Sequence, residues 1–187
     1  MGGSLFFAEI KAVQSKYPIF KEINCFIETG TAHGGTTLPM SAKFKTVHTI
    51  EIMETLYLET KQKAAAKGIK NIVFHLGDSE IILPELAKSV REPAVFFLDG
   101  HFCRRDSGRG SQDTPLLDEL AALVNYRNYN EIIIIDDFSH FNKIRNGLDW
   151  RNITLAIVAE IMGQTLLKQY VRNDRLIVLK KKINLGG

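Results

Sequence analysis

The groups in this sequence whose types and spacing could do chemistry are carboxylates that end apolar runs. Asp99 follows Val95-Phe96-Phe97-Leu98, and Asp136 and Asp137 follow Ile132-Ile133-Ile134-Ile135. Three carboxylates at neighbouring strand ends suit a hard divalent cation such as magnesium (Mg2+), which takes oxygen ligands and retains waters. His101 and His140 stand just past the same two runs, and an imidazole of ordinary pKa takes a proton near neutral pH. Asp99, His101 and Asp136 are therefore the candidate catalytic set, with His101 preferred over His140 as base, and Asp99, Asp136 and Asp137 the candidate metal set. The bland alternative is that some of these groups cap helices or bind loop amides.

A second group is the segment Glu28-Thr29-Gly30-Thr31-Ala32-His33-Gly34-Gly35-Thr36-Thr37. Glycine at 30, 34 and 35 permits a tight turn and close approach of a ligand to the backbone. A helix starting after it would aim free amides at a carboxylate or phosphate. Such a loop alone is a weak signal, and a purely structural turn is the alternative. Glu51 ends the next apolar run about 20 residues on, where a carboxylate accepts from both ribose hydroxyls. That spacing suits NAD and S-adenosylmethionine equally.

The elements that must position these groups follow from periodicity. Short β-branched runs at 25–28, 46–51, 71–75, 94–99 and 131–136 alternate with segments of helical spacing at 55–67, 80–90 and 114–126, the pattern of a parallel sheet flanked by helices. Phe6, Ile10 and Val13 mark a helix before the first strand, and another helix is expected over 153–162. Two β-rich runs, 164–171 and 175–181, separated by Arg172-Asn173-Asp174, read as a closing antiparallel hairpin. The expected fold is α/β: a Rossmann-like three-layer sandwich around a mostly parallel seven-stranded sheet ending in that hairpin. Residues 1–187 are expected to form a single domain, 1–23 as an N-terminal helix and 24–187 as the Rossmann-like core. Open sheets of this kind bind ligands beyond the carboxyl ends of their strands, where the acidic residues gather.

At this point the order of motifs resembles a known family. Glu28-Thr29-Gly30-Thr31-x-x-Gly34-Gly35-Thr36-Thr37, Glu51, Gly77-Asp78-Ser79, Phe97-Leu98-Asp99-Gly100-His101 and Ile135-Asp136-Asp137 are together similar to the class I S-adenosylmethionine-dependent methyltransferases. Among these the chain is most similar to the macrocin- and catechol-type small-molecule O-methyltransferases. The resemblance implies that Glu28 and Gly30 lie against the methionine part of S-adenosylmethionine, that Thr31, Gly34 and Thr36 bind the cofactor with them, and that Glu51 holds its ribose. It further implies that Asp78 and Ser79 sit at the adenine edge and that Asp99 borders cofactor and acceptor alike. It implies magnesium as an assisting cation that grips substrate oxygens. The sequence departs from metal-dependent relatives in having His101 where a further acidic ligand is usual, and Asp137 where an Asn often stands. Asp78 reads equally well as an N-cap.

Other function classes fit less well. The loop lacks the Gly-x-Gly-x-x-Gly spacing of NAD enzymes, and no Tyr-Lys catalytic pair is evident. Asp99-Gly100-His101-Phe102 is not the Asp/Asn-Pro-Pro-aromatic run of base amino-group methylation. A non-catalytic cofactor-binding protein would tolerate loss of the acidic cluster, which is intact here. The formal net charge of +3 arises partly from the terminal run Lys180-Lys181-Lys182 and gives no clear nucleic-acid signal. The expected partner is a small-molecule acceptor. Two cysteines, Cys25 and Cys103, form no disulfide framework, and no apolar run spans a membrane; a reducing cytoplasmic setting is expected. Oligomeric state stays open, a homodimer covering the site being one arrangement. The loop 102–113, with Arg104, Arg105 and Arg109, is expected to shape the acceptor site.

Overall fold

The computed structural model describes residues 5–101, 110, 114–145 and 147–184. Helix α1 (Phe7–Lys16) is followed by β1 (Cys25–Thr29), α2 (Thr37–Ser41), β2 (Thr46–Glu51), α3 (Glu54–Ala66), β3 (Ile72–Leu76), α4 (Ser79–Ser89) and β4 (Ala94–Leu98). Then come α5 (Leu116–Tyr126), β5 (Glu131–Ile135), the short pair β6 (Ile144–Arg145) and β7 (Leu148–Asp149), α6 (Leu155–Met162), β8 (Leu166–Arg172) and β9 (Arg175–Lys180).

Seven strands form one sheet in the order β3-β2-β1-β4-β5-β9-β8. The first five are parallel, and β9 runs antiparallel to both β5 and β8. The β8–β9 turn is Asn173-Asp174, both with positive φ (51° and 59°), as a two-residue hairpin of the strand-matching hand requires. The α/β sandwich with its closing hairpin is thus the one the sequence predicts.

Continuous apolar runs in β4 and β5 are explained by burial of both faces. Phe96, Leu98, Ile133 and Ile135 join a core with Leu83, Leu120, Leu123, Val158 and Trp150, beneath α4, α5 and α6. Val95, Phe97, Ile132 and Ile134 face the other way, into Ile10, Val13, Phe20, Met40 and Phe44 of the α1 and α2 layer. Alternation along a strand thus assigns each side chain to one of two cores.

The boundaries matter more than the elements. β4 stops at Leu98 and β5 at Ile135, so Asp99 and Asp136 are the first residues beyond the ladder. Strand order reverses between β1 and β4, the topological switch point where ligands bind in such sheets. The helix expected after the glycine loop is only the five-residue α2. The β6–β7 pair was not foreseen in the sequence. Among the described residues no helix is long and apolar enough to cross a membrane.

Candidate active site at the carboxyl ends of the strands

The glycine loop leaves β1 at Thr29 and is held by β2 and α3. The amides of Gly30 and Thr31 both donate to the Ile50 carbonyl, at 3.0 and 3.2 Å. Gly30 has φ +83°, and a Cβ there would collide with the carbonyl oxygen of Asp99. Glycine is required because the ends of β1 and β4 close on each other at this point. Gly34, at φ +78°, would place a Cβ 2.6 Å from Thr60 of α3, and Thr60 Oγ1 donates to the Ala32 carbonyl at 3.0 Å.

Glu51 is buried, and its two oxygens accept from the amides of Ala32 (2.8 Å) and Met53 (2.9 Å). Each oxygen keeps a second lone pair, so the carboxylate that fixes the loop still has acceptor capacity for a diol. The donor set at this strand end therefore fits the ribose of S-adenosylmethionine.

Glu28, by contrast, lies inside the protein. It accepts from Thr37 Oγ1 and, at 2.9 Å, from Thr49 Oγ1, and burial pushes its carboxyl up to about 8 despite both hydroxyls. Thr31 Oγ1 shares a 2.6 Å hydrogen bond with Thr49, and Thr36 Oγ1 accepts from the Leu5 amide at 3.1 Å. The structure gives Glu28, Thr31 and Thr36 internal partners that brace the loop. Asp78 Oδ1 caps α4 by accepting from the Glu80 amide at 3.1 Å. Ser79 is buried beside Glu119, with Gly100 packed against Ser79 and Thr29.

The acidic cluster lies across the switch point. Asp99 sits over the end of β4, its amide bound to the carbonyl and hydroxyl oxygens of Thr29, both at 3.2 Å. Its side chain is 27% exposed, against 8% for His101, 7% for Asp137 and 3% for Asp136, so it is the member of the group that meets solvent. Burial and then the neighbouring Asp136 charge push the Asp99 carboxyl up to about 7. His101 stands between two carboxylates, Nδ1 at 3.5 Å from Asp99 Oδ1 and Nε2 at 3.1 Å from Asp137 Oδ2. The His101 hydrogen bond holds Asp137 below the usual carboxylate range.

Asp136 has a different partner. Its Oδ1 accepts from Arg175 Nε at 3.0 Å, and Arg175 also donates to Glu9 of α1 at 3.0 and 3.2 Å. Burial raises the Asp136 carboxyl, with Arg175 opposing. Among the described residues its Oδ2 is buried with no hydrogen-bond partner, as are Glu119 Oε1, Trp150 Nε1 and His140 Nδ1. A cavity of about 10 Å³ is lined by His101, Glu119, Asp136 and Trp150.

Asp137 adopts a left-handed conformation, φ 53°, and opens the turn Phe138–His140. The β8–β9 hairpin secures that turn, because Asp174 accepts from the Ser139 amide at 2.6 Å and its hydroxyl at 2.9 Å. His140 is thereby brought 3.7 Å from Asp137 Oδ2, and burial lowers its pKa. Trp150 lies edge-on to both imidazoles, at 5.2 Å from His101 and 5.3 Å from His140.

Among the described residues the expected metal set does not come together as one cluster. Magnesium takes oxygen ligands, and of the two Asp136 oxygens Oδ1 is engaged by Arg175. Among the described residues the donors that converge are His101, Asp137 and His140, not Asp99, Asp136 and Asp137. Among the described residues no three carboxylates converge to hold magnesium.

The fold is that of the Rossmann-like methyltransferases. The O-methyltransferase TomG of Streptomyces achromogenes, in complex with SAM, superposes with a TM-score of 0.63 at 13% identity, over 96% of this chain and 82% of that one. The Streptococcus mutans protein SMU.1697c, in complex with SAH, matches with a TM-score of 0.56 at 16% identity, over 91% and 97%. An rRNA methylase of Streptococcus thermophilus matches with a TM-score of 0.54 at 16% identity, over 87% and 89%. No protein-family model and no curated protein matches the sequence. The likeness is therefore one of methyltransferase fold.

Four residues of this region escaped the sequence reading. Glu119 shares the buried face of α5 with Leu116, Leu120 and Leu123, and the spacing i, i+3, i+4, i+7 is the signal that could have found it. Glu9, Trp150 and Arg175 carry no comparable signal. Loop residues Arg104, Arg105 and Arg109, with Cys103, lie outside the described residues.

Proposed function

We propose that the chain is an S-adenosylmethionine-dependent methyltransferase that methylates an oxygen of a small polar acceptor, a sugar or diol hydroxyl. What carries this reading is the meeting at one switch point of the glycine loop, Glu51 and the partly exposed Asp99. When bound, S-adenosylmethionine supplies an electrophilic methyl group on a sulfonium.

Glu51 holds the ribose while keeping the Ala32 and Met53 amides in place, so loop shape and cofactor position are set together. Gly30 lets the loop sit against Asp99, which brings the acceptor side to the cofactor side. Asp99 accepts the proton of the attacking hydroxyl, because it is the carboxylate of the cluster that reaches solvent. His101, between Asp99 and Asp137, fixes the orientation of both. Asp136, oriented by Arg175, contributes negative charge behind Asp99. Positioning of this kind provides most of the rate in a displacement that needs only alignment and proton removal. A small-molecule acceptor is favoured over a nucleobase because Asp99-Gly100-His101 follows β4 in place of a Pro-Pro-aromatic run.

Calorimetric titration with S-adenosylmethionine, S-adenosylhomocysteine and NAD tests the reading. Binding of the first two but not NAD is expected, weakened about 10- to 100-fold in Glu51→Ala, the effect of losing charge-assisted hydrogen bonds. Failure of both sulfur compounds to bind the wild-type chain would overturn it.

A further inference from the structure

We propose that His101, Asp137 and His140 form a binding site for one divalent transition-metal cation of the zinc, cobalt or iron(II) kind. One ring nitrogen of His101, one carboxylate oxygen of Asp137 and one ring nitrogen of His140 all lie within 4.8 Å of one another. Asp137 Oδ2 is shared, 3.1 Å from the first nitrogen and 3.7 Å from the second. Tetrahedral coordination with bonds near 2.0–2.1 Å separates donor atoms by about 3.3 Å, within a few tenths of an ångström of both carboxylate–imidazole separations.

Three further observations single out this cluster. Among the described residues His140 Nδ1 is buried with no hydrogen-bond partner, an arrangement that costs free energy in a purely structural histidine. Asp99 lies on the far side of the His101 ring, 3.5 Å from Nδ1, where a carboxylate selects the tautomer whose Nε2 lone pair binds metal. Trp150 packs edge-on against both rings and holds them. Two imidazoles and one carboxylate are a borderline donor set, suited to zinc, iron, cobalt or nickel and not to magnesium. Three protein ligands leave at least one position open, and an acceptor oxygen bound there would lose its proton more readily. That use in catalysis rests on the methyltransferase reading; the binding itself does not.

The test uses the full chain, stripped with chelator, and Co2+ as an optical probe in place of the native ion. One Co2+ per chain is expected, with the intense visible absorption of a four-coordinate site, displaced by Zn2+ and not by Mg2+. His140→Ala should weaken Co2+ binding by at least about 100-fold. His140→Cys should bind Co2+ with a new sulfur-to-metal charge-transfer band, which a structural histidine would not produce. Far-ultraviolet circular dichroism of the wild type and each variant reports folding, and titration with S-adenosylhomocysteine reports the cofactor site. Co2+ bound equally by wild type and His140→Ala, Mg2+ competing for the site, or no Co2+ bound by a folded wild type would each overturn the proposal. Co2+ binding as expected in a chain that binds no S-adenosylhomocysteine would leave the metal site standing and sink the methyltransferase reading.

Discussion

The two ends of the central sheet bury charge in opposite ways. At the base, Glu131 opens β5 and Lys180 closes β9, and both are fully buried with Arg127. Glu131 accepts from Arg127 at 2.6 Å and from Lys180 at 3.1 Å. Arg127 spends its other donors on the carbonyls of Val90 (2.8 Å) and Glu92 (2.5 Å), and Lys180 on that of Arg127 (2.7 Å). At the carboxyl end, Glu119, Asp136, His140 and Trp150 each keep a buried polar atom without a protein partner. Among the described residues one further such atom, Gln169 Oε1, lies on β8. A buried unpaired polar atom costs about 1–3 kcal/mol, and such costs gather where binding or chemistry uses the group. One end of the sheet is therefore built for stability, and the other holds groups ready for a ligand.

Breaking the base should produce the largest effect. Glu131→Ala leaves two buried cations without their carboxylate and should cost about 3–5 kcal/mol in urea unfolding, while S-adenosylhomocysteine binding by the folded fraction stays unchanged. A loss under about 1 kcal/mol would mean that the base network does not carry the stability assigned to it.

Glu28 sharpens the comparison, because it is buried at the carboxyl end yet accepts two hydrogen bonds through Oε2. Its carboxyl moves from 4.5 to about 8 on folding. Between those values the folded chain keeps a proton that the unfolded chain has lost, so stability is highest below the lower value and falls as pH rises through the window. Glu28→Gln removes this dependence. Relative to the variant, the wild type should lose roughly 2–4 kcal/mol between about pH 5 and pH 8, read from denaturation midpoints at each pH. Parallel curves would show that Glu28 is ionised in the fold.

Trp150→Phe should have the smallest effect. Its indole N–H has no protein partner, so the change removes an unsatisfied donor along with some packing, and thermal or urea unfolding should shift by less than about 1.5 kcal/mol. A loss of 3 kcal/mol or more, on the order of a large core truncation, would show that the indole nitrogen is bonded in solution.

What was legible in the sequence follows from local rules. Ile132-Ile133-Ile134-Ile135 before Asp136, and Val95-Phe96-Phe97-Leu98 before Asp99, mark strands covered on both faces with acids at their open ends. Gly30 and Gly34 stand where positive φ is needed. Partnership was not legible, because it depends on elements far apart in the chain. Nothing near Asp136 announces Arg175, 39 residues on, and nothing near Thr36 announces Leu5. The turn that turns His140 toward Asp137 is held by Asp174, a contact no periodicity encodes. The sequence shows which strand ends are acidic; packing decides which acids share a neighbour.

The position of β9 has a consequence for how the chain acquires its site. It is made after every other strand described, yet it lies inside the sheet, between β5 and β8, and supplies Arg175 to Asp136. During synthesis β5 stays an open, isoleucine-rich edge until β9 arrives, a surface prone to pairing with other chains. The cluster at Asp136 can therefore close only after Arg175 has emerged, and a chain stopped just short of that point would leave β5 unpaired and prone to aggregate.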